Sequence, residues 1–421
     1  MSEGRGAPAR TVFFSLLVLI MTPTFAAGQS IVKGGYYLGG TSKLLPTSGL
    51  DASLYTHLFY AFANLADNTP KVVMPSNNVQ EVSTFSSNMK SKNPDVLTLI
   101  SIQATGAELA VVLQNNQTRG SFISSSITLA RSYQFDGIDL DWEFARSQTE
   151  MNAFGVLIAE WRQAVSVEGQ STNRTTLLLT AAVYFNSTMI YAGKGSYPIG
   201  AIADNLDFVN VMSYDYHGSW QPSETGANTN LYDNSSLVST DRGITSWLQA
   251  GMPPKKLVLG LTLYGRSWTL KDENTANGLG AAAVGLGPAQ PVSNTAGIFY
   301  YSEVVSFIAN DNATVVHDMT EVTGYCYAQN IWVSYEDPFI IGNKVLYSKA
   351  KDLRGYFFWQ VSQDNNFQVS AAASQTMDTG IIPLTPASPS SAAAPTASLK
   401  TLWVAVAVLL LLRGRTIDTV G

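Results

Sequence analysis

Eight short apolar runs, rich in β-branched and aromatic residues, recur along the chain and limit what it can fold into more than any other feature. They are Val32–Leu38, His57–Ala63, Val96–Ile102, Gly137–Trp142, Leu177–Val183, Phe208–Tyr214, Leu257–Leu263 and Gly355–Trp359. Most are separated by stretches of helical periodicity, such as Met151–Val165 and Thr240–Ala250. Near-continuous apolar strands alternating with helices predict a parallel sheet covered on both faces. Eight such units predict an α/β fold, a closed (β/α)8 TIM barrel, in preference to an open sheet. We place this barrel over residues 29–378. Before the last strand roughly ninety residues intervene, too many for one helix and its loops. That stretch contains strand-like runs at Gly297–Tyr301, Thr314–His317, Gly324–Ala328 and Asn330–Tyr335. It predicts a small α+β insertion at 267–347, between strands 7 and 8, on the C-terminal rim.

Both ends differ from this pattern. Arg5 and Arg10 precede an apolar run, Val12 to Met21, followed by the small residues Ala26, Ala27 and Gly28. This order predicts a signal peptide over 1–28 and a secreted protein. Asn116, Asn173, Asn186, Asn234 and Asn312 each begin an Asn-x-Ser/Thr sequon, in keeping with secretion. Cys326 is the sole cysteine, so the core rather than an intrachain disulfide must hold the fold. Residues 379–400 are rich in Pro, Ser, Thr and Ala and predict a linker. The tail at 401–421 carries the apolar run Leu402–Leu412, short for a bilayer span. A glycosylphosphatidylinositol signal, a removable vacuolar propeptide and a marginal membrane tether all remain open for it. The chain has 25 basic and 31 acidic residues without a basic block, which argues against nucleic acid and anionic membrane surfaces as partners. A neutral polymer suits this balance, and the protein is expected to be a monomer.

The segment Phe135-Asp136-Gly137-Ile138-Asp139-Leu140-Asp141-Trp142-Glu143 carries the chemistry. Alternate side chains of a strand share a face, so Asp139, Asp141 and Glu143 point one way and Ile138, Leu140 and Trp142 the other. Inward carboxylates in a buried sheet are costly to desolvate and repel one another. Such a placement signals function. Mutual repulsion raises at least one pKa and yields a carboxylic acid able to donate a proton near neutrality. Glu143, at the C-terminal end of its strand, lies where barrel active sites form. Asp136 falls outside the parity and is assigned a supporting hydrogen-bonding role.

This run resembles the Asp-x-x-Asp-x-Asp-x-Glu signature of family 18 glycoside hydrolases, and the chain is similar to plant class V chitinases. His57-Leu58-Phe59-Tyr60-Ala61-Phe62, Met212-Ser213-Tyr214-Asp215, Leu259-Gly260-Leu261 with Tyr264-Gly265-Arg266-Ser267-Trp268, and Gly355-Tyr356-Phe357-Phe358-Trp359 extend the resemblance to other strands. Trp332-Val333-Ser334-Tyr335-Glu336-Asp337 resembles the family's insertion, and the likeness covers roughly residues 31–375. It implies hydrolysis of chitin or chitooligosaccharides with retention and substrate assistance, an exception to two-carboxylate schemes. Glu143 would be the acid, Asp141 would orient the 2-acetamido group, Asp139 would share a proton with Asp141, and Tyr214 would position the acetamido carbonyl. The resemblance implies substrate-binding roles for Asp136, Asp215, Met212, Trp359, Tyr36, Phe62, Arg266 and Trp332. It implies no metal and no organic cofactor. Trp220 and Trp332 either line outer subsites or pack loops. Trp142 is expected to pack between sheet and helices.

Two departures stand out. The family usually has Ser-x-Gly-Gly after the third strand, where this chain has Ser101-Ile102-Gln103-Ala104, and Ala145 replaces a common proline. The rival from another class is a non-catalytic chitooligosaccharide-binding lectin on the same barrel. A third reading is a hydrolase of other N-acetylglucosamine-containing glycans.

Overall fold

The computed structural model describes residues 30–383 except 68, 191–192, 234 and 273–276. The signal peptide expected at 1–28, the tail at 401–421 and nearly all of the linker lie outside the described residues. Eight strands run parallel: β1 (Val32–Leu38), β2 (His57–Leu65), β3 (Leu97–Thr105), β4 (Gly137–Glu143), β5 (Leu178–Tyr184), β6 (Phe208–Met212), β7 (Leu257–Thr262) and β8 (Gly355–Trp359). Each pairs with the next in chain order, and β8 pairs with β1, so the sheet closes. Helices cross between successive strands, among them Gln148–Thr172 after β4 and Thr240–Gln249 before β7. The chain therefore folds as a (β/α)8 TIM barrel.

Alternation along the strands divides the apolar residues into two layers. Val32, Tyr36, Phe59, Leu99, Phe208, Val258 and Phe357 fill the barrel interior. Ile138, Leu140, Trp142 and their counterparts on other strands pack outward against helix residues such as Phe122, Phe154 and Trp161. Closure leaves little room where β8 meets β1. A Cβ on Gly355 would lie 1.9 Å from the Val32 carbonyl oxygen, and this glycine has φ +153°, so only glycine fits there.

The insertion is a second, antiparallel sheet built around the strand Tyr264–Leu270, which pairs with Ile331–Tyr335 and Ala283–Leu286. Its boundaries differ from the expected 267–347 at both ends. It starts at Tyr264, directly after β7. Pro338–Ala350 is a helix packed on β8 and on the helix Gln368–Thr379, so it belongs to the barrel. Asp337 caps that helix by accepting from the Phe339 and Ile340 amides. An apolar helix face reads alike whether it covers a barrel or a small sheet, so the sequence pattern could not assign it.

Candidate active site

The C-terminal ends of the barrel strands open into a cleft of about 760 Å3. Glu143 and Asp141 from β4 line it, with Gln103 from β3, Met212 from β6, and Tyr214, Asp215, Tyr264 and Trp359 around the wall. Because Ile138, Leu140 and Trp142 occupy the sheet–helix core, Asp139, Asp141 and Glu143 form a single inward file. Asp139 is deepest and fully buried. Its Oδ2 accepts from the Tyr36 hydroxyl at 2.8 Å and the Ser101 hydroxyl at 2.7 Å, and its Oδ1 accepts from Thr180 at 2.6 Å. Asn210 in turn donates to the Tyr36 oxygen at 2.9 Å.

The file's electrostatics follow from depth. Burial raises the pKa of Asp139, opposed by its three hydroxyl donors. Asp141 is raised well above the usual carboxylate range, by burial first and then by the charges of Glu143 and Asp139. Glu143 is exposed to the cleft, yet the surrounding walls desolvate it and the Asp215 charge adds to the rise. A raised carboxyl at the mouth of a cleft is a proton donor in waiting. Tyr214 is pushed up by burial and by neighbouring Tyr264 and Asp141, so its hydroxyl remains a donor.

Asp215 sits at φ +60°, a left-handed position that aspartate tolerates. Its Oδ1 accepts from the Tyr264 hydroxyl at 2.6 Å and from Arg266 at 2.6 and 3.0 Å. Arg266 lies behind Asp215, with its guanidinium 5.3 Å from the ring of Trp220, which is 53% exposed at the rim. Trp359 lies across the floor, 5.6 Å from the Tyr36 ring and stacked at 5.7 Å on Phe62. Phe62 supports Trp359 from outside the cleft wall.

Phe62 and Arg266 thus back the cleft without lining it, and Asp136 and Trp332, also expected to bind, lie away from it. Asp136 lies before β4, at the opposite end of the barrel from Glu143. There it accepts from the Thr98 amide and hydroxyl and pairs with Lys90 at 2.7 Å. It latches β4 to β3 and the helix Val79–Lys92, and does not line the cleft. Asp136→Ala is expected to cost about 1–3 kcal/mol in urea unfolding by leaving the buried side of this network unpaired, without changing the folded protein's activity. Trp332 is 0% exposed, packed on Trp268 and Tyr325 with its indole donating to the Asn277 carbonyl, so it is insertion core. Thr180 and Asn210 also join the Asp139 network, without belonging to any motif quoted above. Their signal was a polar side chain at inward parity on an otherwise apolar strand.

The family model for glycosyl hydrolases family 18 matches residues 33–364. The chain is 40% identical over 349 residues to a class V chitinase, CHIT5b, of Medicago truncatula, covering 82% of this chain and 90% of that one. A solved mutant class V chitinase from Nicotiana tobaccum in complex with NAG4 superposes with TM-score 0.79 at 38% identity, covering 84% of this chain and 100% of that chain. A solved chitinase-like agglutinin from Robinia pseudoacacia superposes at 0.74 with 40% identity, covering 82% of this chain and 99% of that chain. With this match across the barrel, the chain belongs to glycosyl hydrolases family 18 and is a glycoside hydrolase of the chitinase type.

Proposed function

We propose that the protein is secreted and hydrolyses β-1,4-linked N-acetylglucosamine polymers at internal bonds, with retention and with the substrate's own acetamido group as nucleophile. The observation that carries this reading is the placement of the carboxylates. Asp141 lies beneath Glu143 on the same strand, about 7 Å away by strand geometry, rather than facing it across the cleft. Two-carboxylate retention needs a nucleophile on the opposite face of the sugar from the acid. Asp215, the other carboxylate lining the cleft, is engaged by Arg266 and Tyr264. This placement supports the reading in which the substrate's own acetamido oxygen is the attacking atom.

In the first step Glu143 gives its proton to the glycosidic oxygen and the bond from that oxygen to the anomeric carbon breaks. The acetamido carbonyl oxygen bonds to the anomeric carbon from the other face, forming an oxazolinium ion. Asp141 offsets its positive charge, and the Tyr214 hydroxyl orients the acetamido group. Glu143, now a carboxylate, takes a proton from water, whose oxygen bonds to the anomeric carbon as the bond from the acetamido oxygen breaks, restoring the acetamide and the β configuration. Trp359 offers a flat apolar surface beneath the reacting sugar.

Glu143 must be protonated for the first step. Its pKa stands above the ordinary 4.5 because of desolvation and the Asp215 charge. Activity is thus lost as pH rises through that elevated value. Asp215→Asn removes the neighbouring negative charge, lowers the pKa, and is expected to move the alkaline limb of kcat/KM to lower pH. An unmoved limb would contradict the assignment.

Chitohexaose digestion followed by proton NMR tests the main reading. Internal cuts with an initial excess of β-anomeric ends are expected, and α-anomeric products would sink retention. Binding without cleavage would instead select the lectin, a reading that the intact acid at Glu143 does not favour. Secretion is supported by the exposed sequons at Asn116, Asn173 and Asn312. It is checked by a mass decrease on N-glycosidase treatment of protein recovered from the medium.

A further inference from the structure

Asp141 is unevenly provided for. Three hydroxyls near the base of the carboxylate file serve Asp139, and among the described residues the Oδ1 of Asp141 is buried with no hydrogen-bond partner. A carboxylate in that position costs free energy whenever it carries charge. The strand beside it offers one remedy. Gln103 of β3 is the register partner of Asp141, points into the same cleft and is exposed there. At this place the family's usual sequence has glycine, which brings no donor.

We infer that Gln103 is a positioning residue for Asp141, supplying from β3 an amide donor that holds the Asp141 carboxylate charged and oriented beneath Glu143. This rests on the proposed reaction, in which Asp141 works as an anion. The other polar groups around Asp141 are less directly placed on its strand register. Asp139 and Glu143 on its own strand repel its charge. On β5, its neighbour Ala182 has no polar side-chain atom. The Tyr36 hydroxyl donates to Asp139, and the Tyr197 hydroxyl oxygen accepts from the Tyr184 amide. Tyr214 is assigned to the substrate's acetamido group by the proposed reaction, and Asp215 is engaged by Arg266. The amide of Gln103 favours the charged form and opposes the rise that burial imposes on Asp141.

The sign follows directly. A donor to the anion lowers the pKa, so removing it raises the pKa, and Asp141 takes up its proton at a higher pH. The acidic limb of kcat/KM then moves to higher pH. Gln103→Met keeps the length and bulk but has no donor, whereas Gln103→Gly removes both. Both variants and the wild type, checked for folding by circular dichroism, are assayed on chitohexaose across pH. In parallel, the Asp141 carboxyl is titrated by carbon-13 NMR, which does not depend on turnover.

Both variants are expected to raise the acidic limb and the Asp141 titration by about half a unit or more, with kcat falling more than KM rises. If Gln103→Met titrates like the wild type and only Gln103→Gly alters KM, Gln103 merely fills space and the inference is overturned. If the wild type fails to cleave, the proposed reaction falls. The carboxyl titration still decides whether Gln103 holds Asp141.

Discussion

Glu143→Gln is expected to leave a folded protein that binds chitohexaose but has a kcat reduced by roughly 10²- to 10⁴-fold, the usual contribution of general acid–base catalysis. Glutamine keeps the shape and can still hydrogen-bond, but its amide gives up no proton at accessible pH. The cleft loses one ionisable carboxyl and none of its walls, because Tyr214, Asp215, Trp359 and Met212 come from other elements. Ground-state binding should therefore survive while both halves of the reaction suffer, since Glu143 acts first as acid and then as base. Chromatography of chitohexaose digests gives the rate, and calorimetric titration of the variant gives the affinity. A variant retaining a tenth or more of wild-type kcat would remove Glu143 from the acid role.

The second large effect is structural. Glu336 and Lys344 form an ion pair with both side chains buried. Glu336 also accepts from the Thr262 amide and hydroxyl at the end of β7, and Lys344 donates to the Thr229 carbonyl. One buried pair thus ties the end of the insertion sheet, the helix Pro338–Ala350, the last turn of β7 and the loop after β6. Burial pushes the Lys344 ammonium down, and the Glu336 charge opposes that shift. Lys344→Met leaves Glu336 charged and unpaired in the interior, and is expected to cost about 3–5 kcal/mol in denaturant unfolding. Adding Glu336→Gln removes the stranded charge while keeping an acceptor for Thr262, and should recover most of that loss. If the double variant is no better than the single one, packing of the lysine stem rather than the ion pair accounts for the effect.

The carboxylate file shows how much of the site was readable before folding. Asp139, Asp141 and Glu143 share a face because strand parity has a period of two, a rule needing only local backbone geometry. Ile138, Leu140 and Trp142 form the complementary outward set by the same rule. Asp136 escaped this logic. Its position before the strand was plain, but the identity of its partners was not, since Lys90 and Thr98 lie 46 and 38 residues away along the chain. Trp332 shows the same limit, because an aromatic on a half-buried sheet has two faces available and only the neighbouring loops decide between them. Here the strand Tyr264–Leu270 and the Asn277 carbonyl close over it.

By itself the sequence determined the elements: eight apolar strand periods, the helices between them, and a row of acids on one face of the fourth strand. Each follows from interactions within a few residues, where periodicity and desolvation cost act without knowledge of the rest of the chain. Only the tertiary structure decided that Asp215 stands beside Glu143, which hydroxyls serve Asp139, and that Gln103 is left to face Asp141. It also decided that the insertion ends before Pro338 and is locked to the barrel through Glu336 and Lys344. Closure of the barrel brings residues far apart in sequence to within hydrogen-bonding distance, and no local pattern encodes those distances.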